Sequence, residues 1–420
     1  MAEAIHADVA VIGGGVIGLG IAHEARRLGR SVVLIDPAPA SGATFAAAGM
    51  LAPVSELHYQ EEDLLELMLE SSRRWPAFVD GLAGSREAAG YRTTATLAVG
   101  ADAADRRALA DLRAVQVAEG LQVEPLLLRD ARAREPLLSP QISCAFHIPA
   151  DHQVDPRKLA TCLLAGLAAH RPTDTSWIEG AGDGFHLREA AVRLLWEDGR
   201  VAGVETSSGG RVLARETVLA NGLDAATVNS LPEQLHLPLR PVYGDILRLR
   251  VPESLQPLVT CTIRGMVRGV PVYIVPREDG TVVIGATQRE DGLSASSNAV
   301  SAGGVYQLLR DAQVLVPAVA ELELLEATAR ARPGTPDNAP LLGRVAGTGG
   351  EVQGLIVATG FFRHGVLLTP AAAAIVGGLI TGSADPRWVR FRPDRFGPPG
   401  SAPAINTSSA HTGPFTKESA

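Results

Sequence analysis

The hydrophobic pattern at the start of the chain predicts a strand, a helix and a second strand in direct succession. The apolar runs at 8–12 and 31–35 are typical of buried parallel strands. Between them, apolar residues recur at helical spacing, at Ile17, Ile21, Ala25 and Leu28. Gly29 follows where such a helix would end. The sequence therefore opens with a βαβ unit.

The turn between the first strand and the helix carries the pattern G-x-G-x-x-G, and Asp36 ends the second strand. Gly13 permits a tight turn, and Gly15 lets the backbone approach a pyrophosphate. Gly18 lets the helix pack closely on the strand, and Asp36 is placed to accept a hydrogen bond from a ribose hydroxyl. The pattern predicts a dinucleotide site formed by Gly13, Gly15, Val16, Ile17, Gly18 and Asp36.

The pattern that follows does not extend the βαβ unit. An amphipathic stretch at 61–82 predicts a helix, 91–99 alternates like a strand, and 103–119 predicts a second helix. Runs rich in Val, Ile and Tyr at 239–249 and 271–285 are typical of an antiparallel sheet. We therefore predict an α/β fold: a Rossmann-like nucleotide-binding domain with an inserted α+β domain built on an antiparallel sheet.

Composition and charge narrow the class of protein. The chain has 420 residues, 46% of them hydrophobic, and a formal net charge of −8, which argues against nucleic acid or an anionic membrane as partner. Three scattered cysteines and no C-x-x-C pair favour a reducing cytoplasm over a disulfide framework. The longest apolar segment, 370–380, is too short to span a bilayer, and we predict neither a signal peptide nor a metal site.

A run of small residues at 41–50 ends in A-A-A-G-M. Small side chains leave backbone N–H groups free to meet a flat, polar ligand at close range. Together with the dinucleotide fingerprint, this run resembles the flavin-dependent amine oxidases of the D-amino-acid oxidase family, and most of all its glycine-oxidising members. The resemblance extends over residues 7–390 and implies a non-covalently bound FAD.

The resemblance also implies further FAD contacts: Thr44, Ala47, Ala48, Gly49, Met50, Val192, Gly222, Gly360, Arg363, Gly365, Val366 and Leu367. In the family, the backbone at the position of Val192 contacts the adenine, although an ordinary core role for this residue is an equal alternative. We expect Thr369 to cap, and Pro370 to begin, the helix that closes over the flavin ring.

Two segments in the second half of the chain carry the expected substrate contacts. The segment Y-I-V-P-R implies that the Tyr273 hydroxyl faces a substrate carboxylate, whereas the default role of a sheet tyrosine is packing. In R-P-G-T-P-D, Pro333 holds Arg332 extended, and a fixed guanidinium suits a carboxylate because it can bind both oxygens. A salt bridge is the alternative for Arg332. Met50 and Arg363 are expected at the substrate pocket, with Arg363 adding positive charge at its mouth.

We predict that 1–88, 150–230 and 325–395 form the FAD-binding domain and that 89–149 and 231–324 form the substrate domain. Residues 396–420 are rich in Pro, Ser, Thr and Gly without apolar periodicity, which predicts a disordered tail. The family resemblance concerns the activity. It implies oxidation of glycine, sarcosine or small D-amino acids by molecular oxygen. Two alternatives remain open: a dehydrogenase that passes electrons to a quinone or protein, and a non-enzymatic assembly protein that holds FAD. A homo-oligomer and a thiazole synthase partner in thiamine synthesis also remain open.

Overall fold

The computed structural model describes residues 4–59, 61–169, 185–290, 298–347 and 350–397. The α-helices of this part of the chain are α1 (Val16–Arg27), α2 (Ala43–Ala46), α3 (Glu62–Asp80), α4 (Ala103–Ala118), α5 (Leu128–Arg134), α6 (Pro156–Ala169), α7 (Ala302–Leu315) and α8 (Gly365–Thr381). Short 3-10 helices lie at Gly222–Thr227, Glu253–Leu255, Pro317–Glu321, Pro386–Phe391 and Pro393–Phe396.

The strands form two large sheets and two small ribbons. In chain order they are β1 (Ile5–Ile12), β2 (Val32–Ile35), β3 (Met50–Leu51), β4 (Thr96–Gly100), β5 (Glu124–Leu126), β6 (Cys144–Ile148), β7 (His152–Gln153), β8 (His186–Leu187), β9 (Ala191–Glu197), β10 (Arg200–Thr206), β11 (Arg211–Leu219), β12 (Arg240–Arg250), β13 (Thr262–Val267), β14 (Val270–Pro276), β15 (Thr281–Gly285), β16 (Glu323–Gly334), β17 (Leu341–Gly343), β18 (Ala346–Gly347), β19 (Gly350–Glu351) and β20 (Leu355–Thr359).

The first large sheet is the predicted Rossmann-like layer. Its order is β17-β20-β11-β1-β2-β8, and β1 runs parallel to both β2 and β11. The hairpin β9–β10 extends it beside β11. Helices α1, α3 and α8 cover the face that carries Val9, Leu34 and Ile356, and together they bury a large apolar core.

The glycine turn after β1 is closely packed. Gly13 has a φ of +107°, and a Cβ at this position would lie 2.5 Å from the Ala220 carbonyl oxygen. A Cβ at Gly18 would overlap the Gly13 carbonyl. Only glycines let α1 begin this close to the ends of β1 and β11.

The second large sheet has the order β16-β12-β15-β14-β13-β4-β6-β5. Its pairs are antiparallel as predicted, except that β4 and β13 run parallel. These two strands are far apart in the sequence, so no local turn reveals their relative direction. Helix α7 covers one face of the sheet, where Leu308, Ala312 and Leu315 are buried.

The predicted domain boundary at 325 falls inside β16. This strand pairs with β12 along its length, from Arg240 opposite Gly334 to Arg250 opposite Glu323, so residues 323–334 belong to the second sheet. The apolar pattern of a strand does not specify which strand it pairs with, so the sequence alone does not locate this boundary. The structure moves it past residue 334. We propose the other boundaries as they stand.

The C-terminal end of the chain is only partly described. Of the segment predicted as a disordered tail, residues 398–420 lie outside the described residues. Its start still belongs to the 3-10 helix Pro393–Phe396, and Phe396 packs against the core of the first sheet. No single helix in the described ranges is long and apolar enough to cross a membrane; α8 and Pro386–Phe396 meet that criterion only together, as a pair bent by 110°.

Helix α8 begins at Gly365, one turn earlier than predicted. The Thr369 hydroxyl does not cap the helix but donates to the Gly365 carbonyl at 2.9 Å. Pro370 lies inside the helix, where its missing N–H disturbs the backbone ladder. Ser71 of α3 bridges the backbone on either side of Pro370, because its hydroxyl donates to the Leu367 carbonyl at 2.6 Å and accepts from the Ala371 N–H at 3.2 Å.

One buried guanidinium joins the second sheet to the small-residue run and to the segment before α6. Arg277 follows β14 and donates to the carbonyl oxygens of Ala48 at 2.5 Å and Val154 at 3.2 Å. It also donates to Gln153 Oε1 at 3.1 Å, and its Nε lies 3.7 Å from Asp155 Oδ2. Burial lowers the pKa of Arg277 to about 10, so it remains charged at neutral pH.

We predict that Arg277→Met lowers the free energy of unfolding by about 3–5 kcal/mol, because it removes the cation beside Asp155 and the donor to the buried Ala48 and Val154 carbonyls. Equilibrium denaturation in urea measures this. Arg250→Met is the matched control, since Arg250 is exposed and its ion pair with Glu323 spans 3.8 Å; we expect a change below about 1 kcal/mol. Equal effects of the two variants would contradict the structural role assigned to Arg277.

Candidate active site

A cavity of about 720 Å³ lies between the glycine turn of the first sheet and the open face of the second. It falls within the volume range of small-molecule and cofactor sites. The predicted cofactor residues that line it are Gly13, Gly15, Val16, Ile17, Asp36, Thr44, Ala47, Ala48, Gly49, Met50, Gly222, Gly360, Arg363, Gly365, Val366 and Leu367. Tyr273 and Arg332 line it as well, so the fold brings the predicted substrate and cofactor residues together.

Two predicted cofactor residues do not line the cavity. Gly18 lies beneath the turn, where it permits the close packing described above. Val192 is exposed in β9, and its carbonyl accepts hydrogen bonds from the backbone and side chain of Asn229. The neighbouring residues Ala190 and Ala191 line the cavity instead, so the predicted position is displaced along the strand by one or two residues.

The Asp36 carboxylate organises the nucleotide end of the cavity. It accepts hydrogen bonds from the Gly14 N–H at 2.6 Å and the Ala38 N–H at 2.7 Å. The Thr44 hydroxyl accepts one from the Val16 N–H at 3.1 Å, which ties the small-residue run to the start of α1. The carboxylate therefore lies against the glycine turn, within reach of a ribose bound there.

The start of α8 supplies free backbone donors at the opposite end. The first backbone bond of this helix runs from the Leu368 N–H to the His364 carbonyl at 2.8 Å. The amides of Gly365, Val366 and Leu367 precede it and line the cavity. Together with the helix dipole they favour a ligand group that carries negative charge.

Tyr273 and Arg332 converge because glycines leave space beneath them. Tyr273 in β14 lies opposite Gly285 in β15, where a Cβ would overlap the tyrosine hydroxyl. Arg332 in β16 extends over Gly244 of β12, where a Cβ would overlap its guanidinium. Each side chain therefore lies flat across a neighbouring strand. Burial raises the pKa of Tyr273 to about 12, despite the nearby Arg332, so its hydroxyl remains a donor.

Arg332 differs from the other guanidiniums at this end of the cavity. Within the described ranges it makes no hydrogen bond or ion pair. Arg264 and Arg363, by contrast, both pair with Glu56, and Arg363 also pairs with Glu61. Arg332 is thus the guanidinium left available for a ligand carboxylate, and the salt-bridge alternative for it finds no partner among these residues.

The ion pairs around Glu56 were not foreseen from the sequence. Arg264 lies in β13 and Glu56 in the loop after β3, more than two hundred positions apart. The predicted charge of Arg363 at the pocket mouth is compensated by these carboxylates. His364, beside them, is neutral, because burial and the nearby Arg363 lower its pKa to about 3. The only local sequence signal for these ion pairs is the group of acidic residues that begins at Glu56.

Asp151 holds the loop that carries Glu56. It is fully buried, and it accepts hydrogen bonds from the amides of Val54 and Ser55, each at 3.0 Å. Burial outweighs these bonds and raises the pKa of Asp151 to about 6. The loop geometry on this side of the cavity therefore rests on a carboxyl group that titrates near neutral pH.

A Rossmann-like sheet, a dinucleotide-sized cavity and free donors at a helix start define a flavin-type oxidoreductase. A family model described as "DAO: FAD dependent oxidoreductase" matches residues 8–379. The chain belongs to this family of FAD-dependent oxidoreductases. Its cofactor is FAD, and the residues present fit that group: the close glycine turn, the Asp36 carboxylate and the amides at the start of α8.

Named relatives give this family assignment more detail. The chain is 30% identical over 413 residues to the bifunctional protein ThiO/ThiG of Trichormus variabilis, covering 96% of this chain and 57% of that protein. It therefore spans little more than half the length of that relative. It is 31% identical over 388 residues to the glycine oxidase of Geobacillus kaustophilus, covering 89% and 92% of the two chains. The crystal structure of glycine oxidase from Geobacillus kaustophilus superposes with a TM-score of 0.78 at 28% identity, over 93% and 99% of the chains.

We predict that Asp36→Ala weakens FAD binding roughly tenfold to a hundredfold, because a charge-assisted hydrogen bond to ribose is lost. Titration of the apoprotein with FAD, followed by flavin fluorescence, gives the dissociation constant. The turnover rate at saturating FAD should remain close to that of the unaltered protein, since Asp36 lies at the nucleotide end. An unchanged dissociation constant would mean that the fingerprint does not contact ribose.

We predict a pH dependence of stability that originates at Asp151. Its pKa in the folded protein, about 6, exceeds its ordinary value of 3.8, so its stabilising contribution is complete below about pH 4 and is lost as pH rises through 6. Between about pH 4 and pH 6 the free energy of unfolding of the unaltered protein should fall with rising pH. This fall should exceed that of Asp151→Asn by at most about 3 kcal/mol. Urea denaturation at several pH values tests this, with the exposed Asp130→Asn as control. Parallel pH profiles for Asp151→Asn and the unaltered chain would contradict it.

Proposed function

We propose that this chain oxidises glycine and other small amino acids, such as sarcosine and small D-amino acids. The carbon–nitrogen bond of the substrate is oxidised to an imine, and water then hydrolyses the imine to an α-keto acid and the free amine, which is ammonia for a primary amino acid and methylamine for sarcosine. Glycine, oxygen and water would thus give glyoxylate, ammonia and hydrogen peroxide. The observation that carries the proposal is the guanidinium of Arg332, which has no ion-pair partner in the described part of the chain and lies beside the Tyr273 hydroxyl in the cavity that fits FAD.

Arg332 and Tyr273 would bind the substrate carboxylate. A guanidinium donates two parallel N–H groups to the two carboxylate oxygens, and a neutral phenol adds a third donor. The glycines beneath the two side chains fix where these donors lie, and therefore where the α-carbon of the substrate is held. Bound FAD would supply the two-electron acceptor for this oxidation, and molecular oxygen would be the final acceptor in the proposed reaction.

The apolar wall of the cavity would set the protonation state of the substrate amine. Ala46, Ala48, Ile246 and Val275 pack with Tyr273 into one buried cluster that Met50 and Ala286 complete. Burial against such a wall disfavours the ammonium form, so the amine loses its proton on binding. The nearby His364 is neutral at pH 7, and no charged side-chain base is required for this step.

The electron acceptor separates this proposal from a dehydrogenase with the same fold. An oxidase forms one hydrogen peroxide for each amino acid consumed when oxygen is the only acceptor. A dehydrogenase would reduce a quinone or protein acceptor and form little peroxide. Titration of the purified flavoprotein with glycine, sarcosine, D-alanine and D-proline without oxygen, followed by admission of oxygen, measures both the substrate range and the peroxide yield. A flavin that none of these amino acids reduces would contradict the proposal.

We further propose that the imine formed from glycine supplies a thiazole synthase in thiamine synthesis. The similarity to bifunctional ThiO/ThiG proteins supports this role. A thiazole synthase mixed with this protein and glycine should then form thiazole phosphate from its remaining substrates. Formation that is equally fast with glyoxylate and ammonia in place of this protein would argue against a direct role.

We predict that Arg332→Ala weakens the binding of amino acids by about 2–5 kcal/mol, or roughly thirtyfold to several thousandfold, since the carboxylate loses its charged partner. Arg332→Lys should recover only part of this loss, because lysine restores the charge without the two-pronged geometry. Steady-state kinetics and thermal denaturation of each variant provide the measurement.

Arg330→Ala is the matched control for Arg332. Arg330 stands two residues away in the same strand and donates to the backbone oxygens of Ser41 and Ala329. Its loss should change KM far less than the loss of Arg332. An Arg332→Ala protein with reduced thermal stability and a nearly unchanged KM would identify Arg332 as a structural residue instead.

A further inference from the structure

A second guanidinium lies next to the proposed carboxylate site. Arg264 in β13 is the direct cross-strand partner of Tyr273 in β14, and both line the cavity. Directly opposed residues place their side chains on the same face of a sheet as close neighbours. Tyr273 therefore lies between Arg332 on one side and Arg264 on the other.

The carboxylate of Glu56 forms an ion pair with this second guanidinium. One of its carboxylate oxygens pairs with Arg264 Nη1, and the other lies 3.2 Å from Arg363 Nε. Only 8% of Glu56 is exposed, and burial by itself would favour its neutral form. The two guanidiniums prevail and hold the pKa of Glu56 below its ordinary value, so the carboxylate is ionised.

The pairing of Glu56 has a consequence for the substrates proposed above. We infer that Glu56 restricts this enzyme to monocarboxylic amino acids, because it is already paired with Arg264, the guanidinium that a second substrate carboxylate would need. The inference rests on the proposed amino-acid oxidase function. A dicarboxylic substrate bound through Arg332 would bring its other carboxylate toward Arg264 and meet the negative charge of Glu56.

The geometry also predicts how the restriction is lifted. In Glu56→Gln the amide no longer neutralises Arg264, so this guanidinium becomes available to a second carboxylate and the like charge is gone. Arg363 keeps Glu61 as a partner, and Glu61 in turn accepts a hydrogen bond from Asn338 at 2.9 Å. The change therefore frees Arg264 while Arg363 remains paired.

Sarcosine and iminodiacetate form the matched substrate pair for the experiment. Both are N-substituted glycines, and they differ in that an N-methyl group is replaced by an N-carboxymethyl group. We expect the ratio of kcat/KM for iminodiacetate over sarcosine to rise at least about tenfold in Glu56→Gln, because a repulsion is replaced by an ion pair. The ratio should fall in Arg264→Gln, in which Glu56 keeps its charge and loses a cation.

Binding of unreactive ligands provides a second readout. Oxydiacetate and methoxyacetate correspond to the two substrates without an oxidisable amine, and flavin absorbance reports their dissociation constants in the holoenzyme. Glu56→Gln should improve oxydiacetate binding relative to methoxyacetate by a similar factor. Glu61→Gln is the matched control, since Glu61 pairs with Arg363 and not with Arg264, and its ratios should stay near those of the unaltered enzyme.

The outcomes distinguish this inference from the proposed function. If the unaltered enzyme oxidises neither these two substrates nor glycine, D-alanine or D-proline, the proposed function fails. If it oxidises glycine but not sarcosine, the binding ratio of oxydiacetate to methoxyacetate decides on the role of Glu56. If it oxidises sarcosine, but both ratios stay unchanged in Glu56→Gln, the role of Glu56 is overturned while the function stands. Should Glu56→Gln fail to retain FAD, Arg264→Gln decides, because an unchanged or higher iminodiacetate ratio in that variant also overturns the inference.

Discussion

The structure depends on how the loop at 46–50 is held in place. Residues 46–49 are three alanines and a glycine, which leaves their backbone open to the cavity and gives their side chains only a small packing area. Arg277 adds a constraint from the second sheet, through its hydrogen bonds to Ala48 and to the segment before α6. A buried charge can serve in this way only when its donors are satisfied, and several carbonyls are arranged around it. The cofactor loop and the substrate sheet are therefore positioned by the same contact.

Absent side chains are as important in the cavity as those present. Gly244 and Gly285 lie on neighbouring strands, and their missing Cβ atoms create the space that Arg332 and Tyr273 occupy. The side chains of Arg332 from β16 and Tyr273 from β14 thereby meet above β12 and β15, the two strands between them. Neither of these two glycines has a positive φ. The site proposed for the substrate is thus shaped by the space that the two glycines leave on the face of the sheet.

The sequence was sufficient for features encoded within a few residues, such as the βαβ unit and its glycine turn. It was insufficient where the structure is determined by pairing between segments that are distant in the sequence. The parallel contact of β4 with β13 and the place of β16 in the second sheet depend on register, which no local pattern specifies. The pairing of Glu56 with Arg264 was missed for the same reason. Helix α8 continues through Pro370, where Ser71 on another helix bridges the Leu367 carbonyl and the Ala371 N–H, a contact that no local pattern predicts.

Charge compensation explains why the pocket would prefer one carboxylate over two. Buried ions are costly unless paired, and around the cavity Arg264 and Arg363 meet this requirement through acidic residues of the chain itself. Arg332 has no such partner among the described residues, so in the proposed function its partner is a ligand carboxylate. A single substrate carboxylate would complete the set, whereas a second would have to displace Glu56 from an existing ion pair. The proposed selectivity for small monocarboxylic amino acids would thus originate in the acidic residues that neutralise the other guanidiniums, and not in the dinucleotide fingerprint.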